Sequence, residues 1–247
     1  MTERSYQRQA NQIRPVQIIR DYTKYAPGSV LISFGETKVL VTATIEERVP
    51  RHIFTSKDDT HGWLTAEYAM LPGATQTRNN RERTKVSGRT NEIQRLIGRC
   101  LRASVDLSQV GQRTITIDAD VIQADGGTRV ASITGGYVAL VDALRHLEKQ
   151  GMLPGAFPKM DPVAAISVGL VGDEVLMDLD YSEDSEAEVD ANVVMTAAGH
   201  FIEVQATSER APLTREKLDE MLDMAESGIR ELLKIQQTAF ESLGAVL

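Results

Sequence analysis

The sequence predicts an α+β protein, and three observations lead there. Segments rich in Val, Ile and Thr that alternate with period two occur in both halves of the chain. Stretches with apolar residues at helical spacing follow each group. The 247 residues are 42% hydrophobic and 25% charged, a globular composition that permits one large domain or two small ones. No internal repeat, low-complexity tract or linker interrupts the chain, so a single domain over 1–247 is the simplest account. The segment GMLPGAFPKMDP at 151–162 separates two halves of similar strand-then-helix order.

Taken in order, residues 29–33 and 38–45 read as two strands joined through Gly35, Glu36 and Thr37, a β-hairpin. The polar stretch 47–61 reads as a loop, and 63–71 as a further extended segment. NEIQRLIGRCLRASVDL then sets Ile93, Leu96, Ile97, Cys100 and Leu101 on one helical face and Arg95, Arg99 and Arg102 on the other. On this reading Cys100 belongs to the core stripe. TITIDADVIQAD alternates Ile115, Ile117, Ala119 and Val121 with Thr116, Asp118 and Asp120, a half-buried strand. VASITGGYVALVDALRHL reads as a helix in which Gly135 and Gly136 imply close packing against a neighbour. Strands are expected at 163–170, 174–181, 192–196 and 201–206, and a last helix over 215–240 with Thr214 as its N-cap.

Composition excludes several classes of function. No stretch approaches the roughly 20 apolar residues that cross a bilayer, and the start MTERSYQRQANQIRP lacks the apolar block of a signal peptide. A cytoplasmic protein without a membrane partner is expected. Cys100 is the only cysteine, so neither an internal disulfide nor a thiolate metal site can form. His52, His61, His146 and His200 are too scattered for metal-ligand spacing. GxxxxGK[ST], GxSxG and HExxH motifs are all absent.

The net charge of −8 runs against nucleic-acid binding, but its distribution matters more than its sum. Residues 73–102 hold Arg78, Arg81, Arg83, Lys85, Arg89, Arg95, Arg99 and Arg102 against Glu82 and Glu92, a balance of 8 − 2 = +6. Residues 178–190 are acidic and carry no basic residue. Charge alone leaves two readings open: an anionic ligand beside a metal or proton-transfer centre, or two solvated loops.

Gly126-Gly127-Thr128-Arg129 lies where a strand is expected to meet a helix, so backbone N–H groups, a hydroxyl and a guanidinium could converge on one anion. A tight turn with an exposed arginine explains the tetrapeptide equally well. Gly88-Arg89-Thr90 supplies a second such element. Asp184 and Asp190, in what reads as a turn-rich stretch between strands, could share one hard cation, because Mg²⁺ takes few carboxylates and keeps several waters. Inorganic phosphate is already an anion near neutral pH, whereas a hydrolase must activate water, so phosphorolysis fits the inventory better than hydrolysis.

The segments RPVQIIRDYTKYAPGSVLISFGETKVLVTA (14–43), GRTNEIQRLIGRCLRASVDL (88–107), IDADVIQADGGTRVASITG (117–135) and EDSEAEVDANVVMT (183–196) closely resemble the ribonuclease PH family. The likeness is collinear from Arg14 to the final helix. It implies the ribonuclease PH fold, two β-α-β-type halves with mixed sheets and packed helices, shared with polynucleotide phosphorylase and the exosome ring. It also implies a phosphate-dependent 3′–5′ exoribonuclease that trims precursor tRNA, works in reverse on nucleoside diphosphates, and assembles as a homo-hexamer, a trimer of dimers.

Transferred residue by residue, the resemblance puts inorganic phosphate on Arg89, Gly127, Thr128 and Arg129. Catalysis and Mg²⁺, or Mn²⁺ in its place, fall to Asp184 and Asp190. RNA falls to Arg78 and Arg81, with Arg95 and Arg99 beside them on the helix. Where the family usually has arginine this chain has Gly73, and the loop from Arg81 to Gly88 is about two residues short of the pattern; both touch RNA contact rather than phosphate chemistry. Arg78 and Arg81 lie in a polar loop with few apolar anchors, which a neighbouring subunit is expected to order. Two rival readings are a non-catalytic RNA-binding ring subunit and a metal-dependent hydrolytic nuclease; the presence of both arginines and both aspartates opposes the first, and product identity separates the second.

Overall fold

The computed structural model describes residues 4–53, 61–208, 210 and 212–241. Part of the loop expected at 47–61, and the side chain of His52, lie outside them. Strands β1 (Val16–Arg20), β2 (Gly28–Phe34), β3 (Thr37–Glu46), β4 (Trp63–Met70) and β5 (Thr114–Gln123) form the first sheet, in the order β1-β2-β3-β5-β4. Its pairs are antiparallel except β4 with β5, which helix α1 (Gly88–Ala103) joins as a parallel crossover. Helix α2 (Thr128–Lys149) leads to the second sheet: β6 (Val163–Val171), β7 (Glu174–Met177), β8 (Val189–Thr196) and β9 (Phe201–Ser208), in the order β7-β6-β8-β9. That sheet is antiparallel throughout, so of the two only the first is mixed. Helix α3 (Tyr181–Glu186) lies between β7 and β8, and α4 (Arg215–Glu241) closes the described chain.

Alternation decides the first sheet. Val30, Ile32, Val39, Val41, Ile115 and Ile117 are fully buried, while Thr42, Thr116 and Asp118 between them keep partial exposure. The apolar face receives α2, and glycine makes that contact possible. A Cβ on Gly28 would sit 1.9 Å from the carbonyl oxygen of Ala139, and one on Gly135 would sit 2.8 Å from Ile32 Cγ2. On its other side α2 meets β6, where Thr134 Oγ1 accepts from the Ala165 N–H at 3.1 Å. Gln236 of α4 ties the same two elements, its Nε2 donating to the carbonyls of Thr134 and Val163. Enclosed between two sheets, α2 buries 17 of its 22 residues, which accounts for its apolar character all round. Burial of a residue such as Leu140 contributes roughly 1.5–3 kcal/mol. Helix α4 covers the far face of the second sheet, with Ile166 Cδ1 filling the space a Gly228 side chain would need.

Two expectations are corrected. The strand expected at 174–181 stops at Met177, because Asp178 takes a positive φ of 54° and turns the chain. The acidic stretch after it is a short helix rather than a loop: Asp180 caps α3 by accepting from the Glu183 N–H, and Glu183 accepts in return from the Asp180 N–H.

Candidate active site

Strand β5 ends at Gln123, and the chain turns through Gly126 (φ 76°) and Gly127 (φ 69°) into the first turn of α2. This left-handed pair requires glycine for a second reason as well: a Cβ on Gly126 would lie 2.5 Å from the Leu179 carbonyl oxygen. Thr128 and Arg129 therefore stand at the positive end of a 22-residue helix. Thr128 Oγ1 lies 2.9 Å from the phenol oxygen of Tyr68, a buried residue of β4 that the sequence reading missed. Burial raises the Tyr68 pKa, opposed by the hydrogen bond with Thr128 and by the positive fields of Arg89 and Arg129. Arg89, exposed in the first turn of α1, lines one cavity with Tyr68, and Arg129 Nη1 reaches Glu92 of the same helix at 3.4 Å.

Register places the acidic partner. Across β6 and β8, Ser167 stands opposite Asn192 and Gly169 opposite Asp190; across β8 and β9, Asn192 stands opposite Gln205. Opposed residues share a face, so Ser167, Asp190, Asn192 and Gln205 look the same way. Ser167 Oγ lies 3.8 Å from where a Gly127 Cβ would be, and Arg129 Nη1 donates to Gln205 Oε1 at 2.9 Å. The glycine-threonine-arginine turn and Asp190 consequently occupy one face of the second sheet. Asp184 lies one turn beyond Asp180 in α3, its N–H donating to the Asp180 carbonyl, and two residues, Ala187 and Glu188, join α3 to the strand of Asp190. Gly126 packs directly against Asp180, which brings α3 to the edge of the glycine turn.

The other arginines divide. Arg99 pairs with Glu203 of β9 at 3.1 Å, two residues along the strand from the partner of Arg129. Arg95 is exposed on the same helix, while Arg102 donates to the Leu64 carbonyl and lies over the Trp63 ring, a structural use. Arg81 and Arg83 line a cavity of about 490 Å³ with Tyr68 and Arg89, and Arg78 Nη1 donates to Asn80 Oδ1 two residues on. The arginine loop is better anchored within its own subunit than its polarity suggests. Ala74 is buried and accepts from the Ala124 N–H, and Glu82 accepts from the Ser87 N–H and the Thr90 hydroxyl at the start of α1. Those bonds lower the Glu82 pKa, the Ser87 backbone contribution being the largest. At exposed Gly73 a Cβ would meet nothing within 4 Å, so no steric demand explains glycine there. Cys100 is buried in the core, and burial pushes its thiol up to about 12, which fits the inert role expected of it.

A glycine turn at a helix start, Arg129 and Asp190 on one sheet face, with Arg89 near Tyr68, define a candidate phosphoryl-transfer site. Comparison with known proteins gives the class. The 3′ exoribonuclease family, domain 1, matches residues 12–145, and the same family's domain 2 matches residues 161–228. The chain belongs to this 3′ exoribonuclease family, that of ribonuclease PH. It is 58% identical over 239 residues to ribonuclease PH of a Synechococcus species, covering 96% of this chain and 97% of the relative. It is 57% identical to ribonuclease PH of Corynebacterium glutamicum, covering 94% of each. The fold recurs in rice Rrp46 (TM-score 0.77, 17% identity, covering 96% of this chain and 100% of the other). It recurs also in the Archaeoglobus fulgidus exosome with RNA bound to the active site (TM-score 0.74, 23% identity, covering 94% and 92%).

Proposed function

We propose that this chain removes nucleotides singly from the 3′ ends of precursor tRNA and other RNA, with inorganic phosphate as co-substrate and nucleoside 5′-diphosphates as products. A phosphorolytic 3′–5′ exoribonuclease activity follows from its family and from identities of 57–58% over nearly the whole chain. One observation carries the assignment of the site: the anion turn at the start of α2 and Asp190 share one face of the second sheet.

On this reading Gly127, Thr128, Arg129 and Arg89 hold inorganic phosphate, which attacks the last phosphodiester in line with the 3′ oxygen. The new bond joins the attacking oxygen to that phosphorus, the bond from phosphorus to the 3′ oxygen breaks, and the departing oxygen takes up a proton. Being an anion on arrival, phosphate needs no general base. Asp190, half-buried on β8, and Asp184, exposed on α3, assist at the leaving side. No cluster of three or more metal-ligating residues occurs among the described residues. Two carboxylates fit Mg²⁺, or Mn²⁺ in its place, which otherwise keeps water and substrate oxygens. Such an ion would offset charge on the reacting phosphate.

Arg78, Arg81, Arg95 and Arg99 extend the basic surface along which RNA approaches. A homo-hexamer built as a trimer of dimers would multiply that surface around a ring. The proposed location is the cytoplasm; among the described residues no helix is long and apolar enough to cross a membrane. Incubation of 3′-labelled RNA with and without phosphate tests the reaction. Label is expected as nucleoside diphosphate and only with phosphate present; phosphate-independent release of monophosphate would instead mark a hydrolase.

A further inference from the structure

Beneath the anion turn lies an arginine that cannot reach any substrate. The Arg14 side chain is 0% exposed, yet its guanidinium ties two separate parts of the site. Nε donates to Asp178 Oδ2 at 3.0 Å and Nη2 to Oδ1 at 2.7 Å, the bidentate geometry that arginine and carboxylate favour. The Arg14 backbone N–H adds a third bond to the same carboxylate at 2.7 Å. Nη1 meanwhile donates to the carbonyl of Asp125, and the Thr37 hydroxyl donates to the carbonyl of Gly126 at 2.6 Å.

Peptide planarity turns those bonds into a statement about the ligand. In a trans peptide the C=O and the following N–H point in opposite directions. Holding the Asp125 and Gly126 carbonyls inward therefore directs the N–H groups of Gly126 and Gly127 the other way, outward from the core. The space is tight, with Arg14 Nη2 3.2 Å from where a Gly127 Cβ would be. Asp178 is itself fixed: its N–H donates to the Ser167 carbonyl at 2.7 Å and its carbonyl accepts from Arg8 at 2.7 Å. Two residues later Asp180 caps α3, the helix of Asp184.

We propose that Arg14 and Asp178 form a positioning pair for phosphorolysis. It locks the anion-binding turn to the carboxylate-bearing helix, so that affinity for the attacking phosphate depends on a guanidinium that never touches it. The proposal rests on the reading that this turn binds inorganic phosphate.

Arg14→Lys is the direct test. An ammonium keeps a charge beside Asp178 but lacks the planar fork that reaches both carboxylate oxygens and the Asp125 carbonyl together. With melting temperature and molar mass checked, the half-saturating phosphate concentration should rise on the order of tenfold while kcat and the KM for RNA change little. Where Arg14→Lys does not fold, Thr37→Val decides. It frees both the Gly126 carbonyl and the Asp125 N–H at nearly constant volume, should show the same split to a smaller extent, and Thr37→Ser should restore the parent value. Unchanged phosphate dependence in the folded variant, or equal losses for phosphate and RNA, would overturn the proposal. Arg129→Ala run alongside separates the two readings. If it leaves phosphate dependence intact, the phosphate site itself is misplaced; if it shifts and Arg14→Lys does not, only the positioning pair is refuted.

Discussion

The two groups of arginine in this chain have opposite fates. Arg4, Arg8 and Arg14 turn inward onto Asp178, Asp180 and Glu183, whereas Arg78, Arg81, Arg89 and Arg95 stay exposed. In the first group each charge meets a carboxylate, because an unpaired guanidinium out of water is prohibitively costly. Burial lowers the Arg8 pKa, with Arg4 as the next cause. Burial is the largest influence on Arg14 and acts in the same direction, but Asp178, Asp125 and Asp180 together outweigh it and the net shift is upward. The second group keeps most of its charge available to a polyanion. Ion-paired arginine builds the fold around the site, and on the proposed reading exposed arginine meets the phosphate and the RNA.

That contrast breaks first on stability. Asp178→Ala leaves Arg14 buried without its partner and should cost about 3–5 kcal/mol in chemical denaturation. Arg78→Ala, on the exposed loop, should stay within about 0.5 kcal/mol. Similar costs for the two would end the distinction between structural and recruiting charge.

Carboxylates should divide as the arginines do. Asp178 is fully paired and positions the turn, while Asp190 is assigned to the reaction itself. Asp190→Asn should lower turnover at saturating phosphate on the order of 10²-fold with the fold intact. Undiminished turnover would return the acidic segment to a solvated role.

A smaller effect sharpens the recruiting side. Replacing Arg78 and Arg81 together by alanine should flatten the logarithmic dependence of RNA affinity on salt by about 1.4, at roughly 0.7 for each single-strand phosphate no longer neutralised. Light scattering should show the assembly unchanged. An unaltered slope would mean that RNA does not use this loop.

Much of the fold was legible in the residues because burial follows periodicity. Val39, Val41, Ile115 and Ile117 alternate with polar neighbours, and Ile93, Leu96, Ile97, Cys100 and Leu101 fall on one helical stripe. Short elements were less legible. β1 has five residues at a sheet edge and α3 has six, too few for a period to show. The helix of α3 depends on its capping box and on Arg4 and Arg8 reaching back about 175 positions to Glu183.

By itself the sequence determined the α+β class, the order of the longer strands and helices, and a glycine-threonine-arginine turn at a helix start, because each is encoded in local spacing and in glycine's freedom at positive φ. Only the tertiary structure decided that Tyr68 meets Thr128, that Gln205 holds Arg129, and that Arg14 clamps Asp178. Those contacts join residues 60, 76 and 164 positions apart. Sheet register and the burial of charge set them, and both are properties of the packed chain that no local pattern carries.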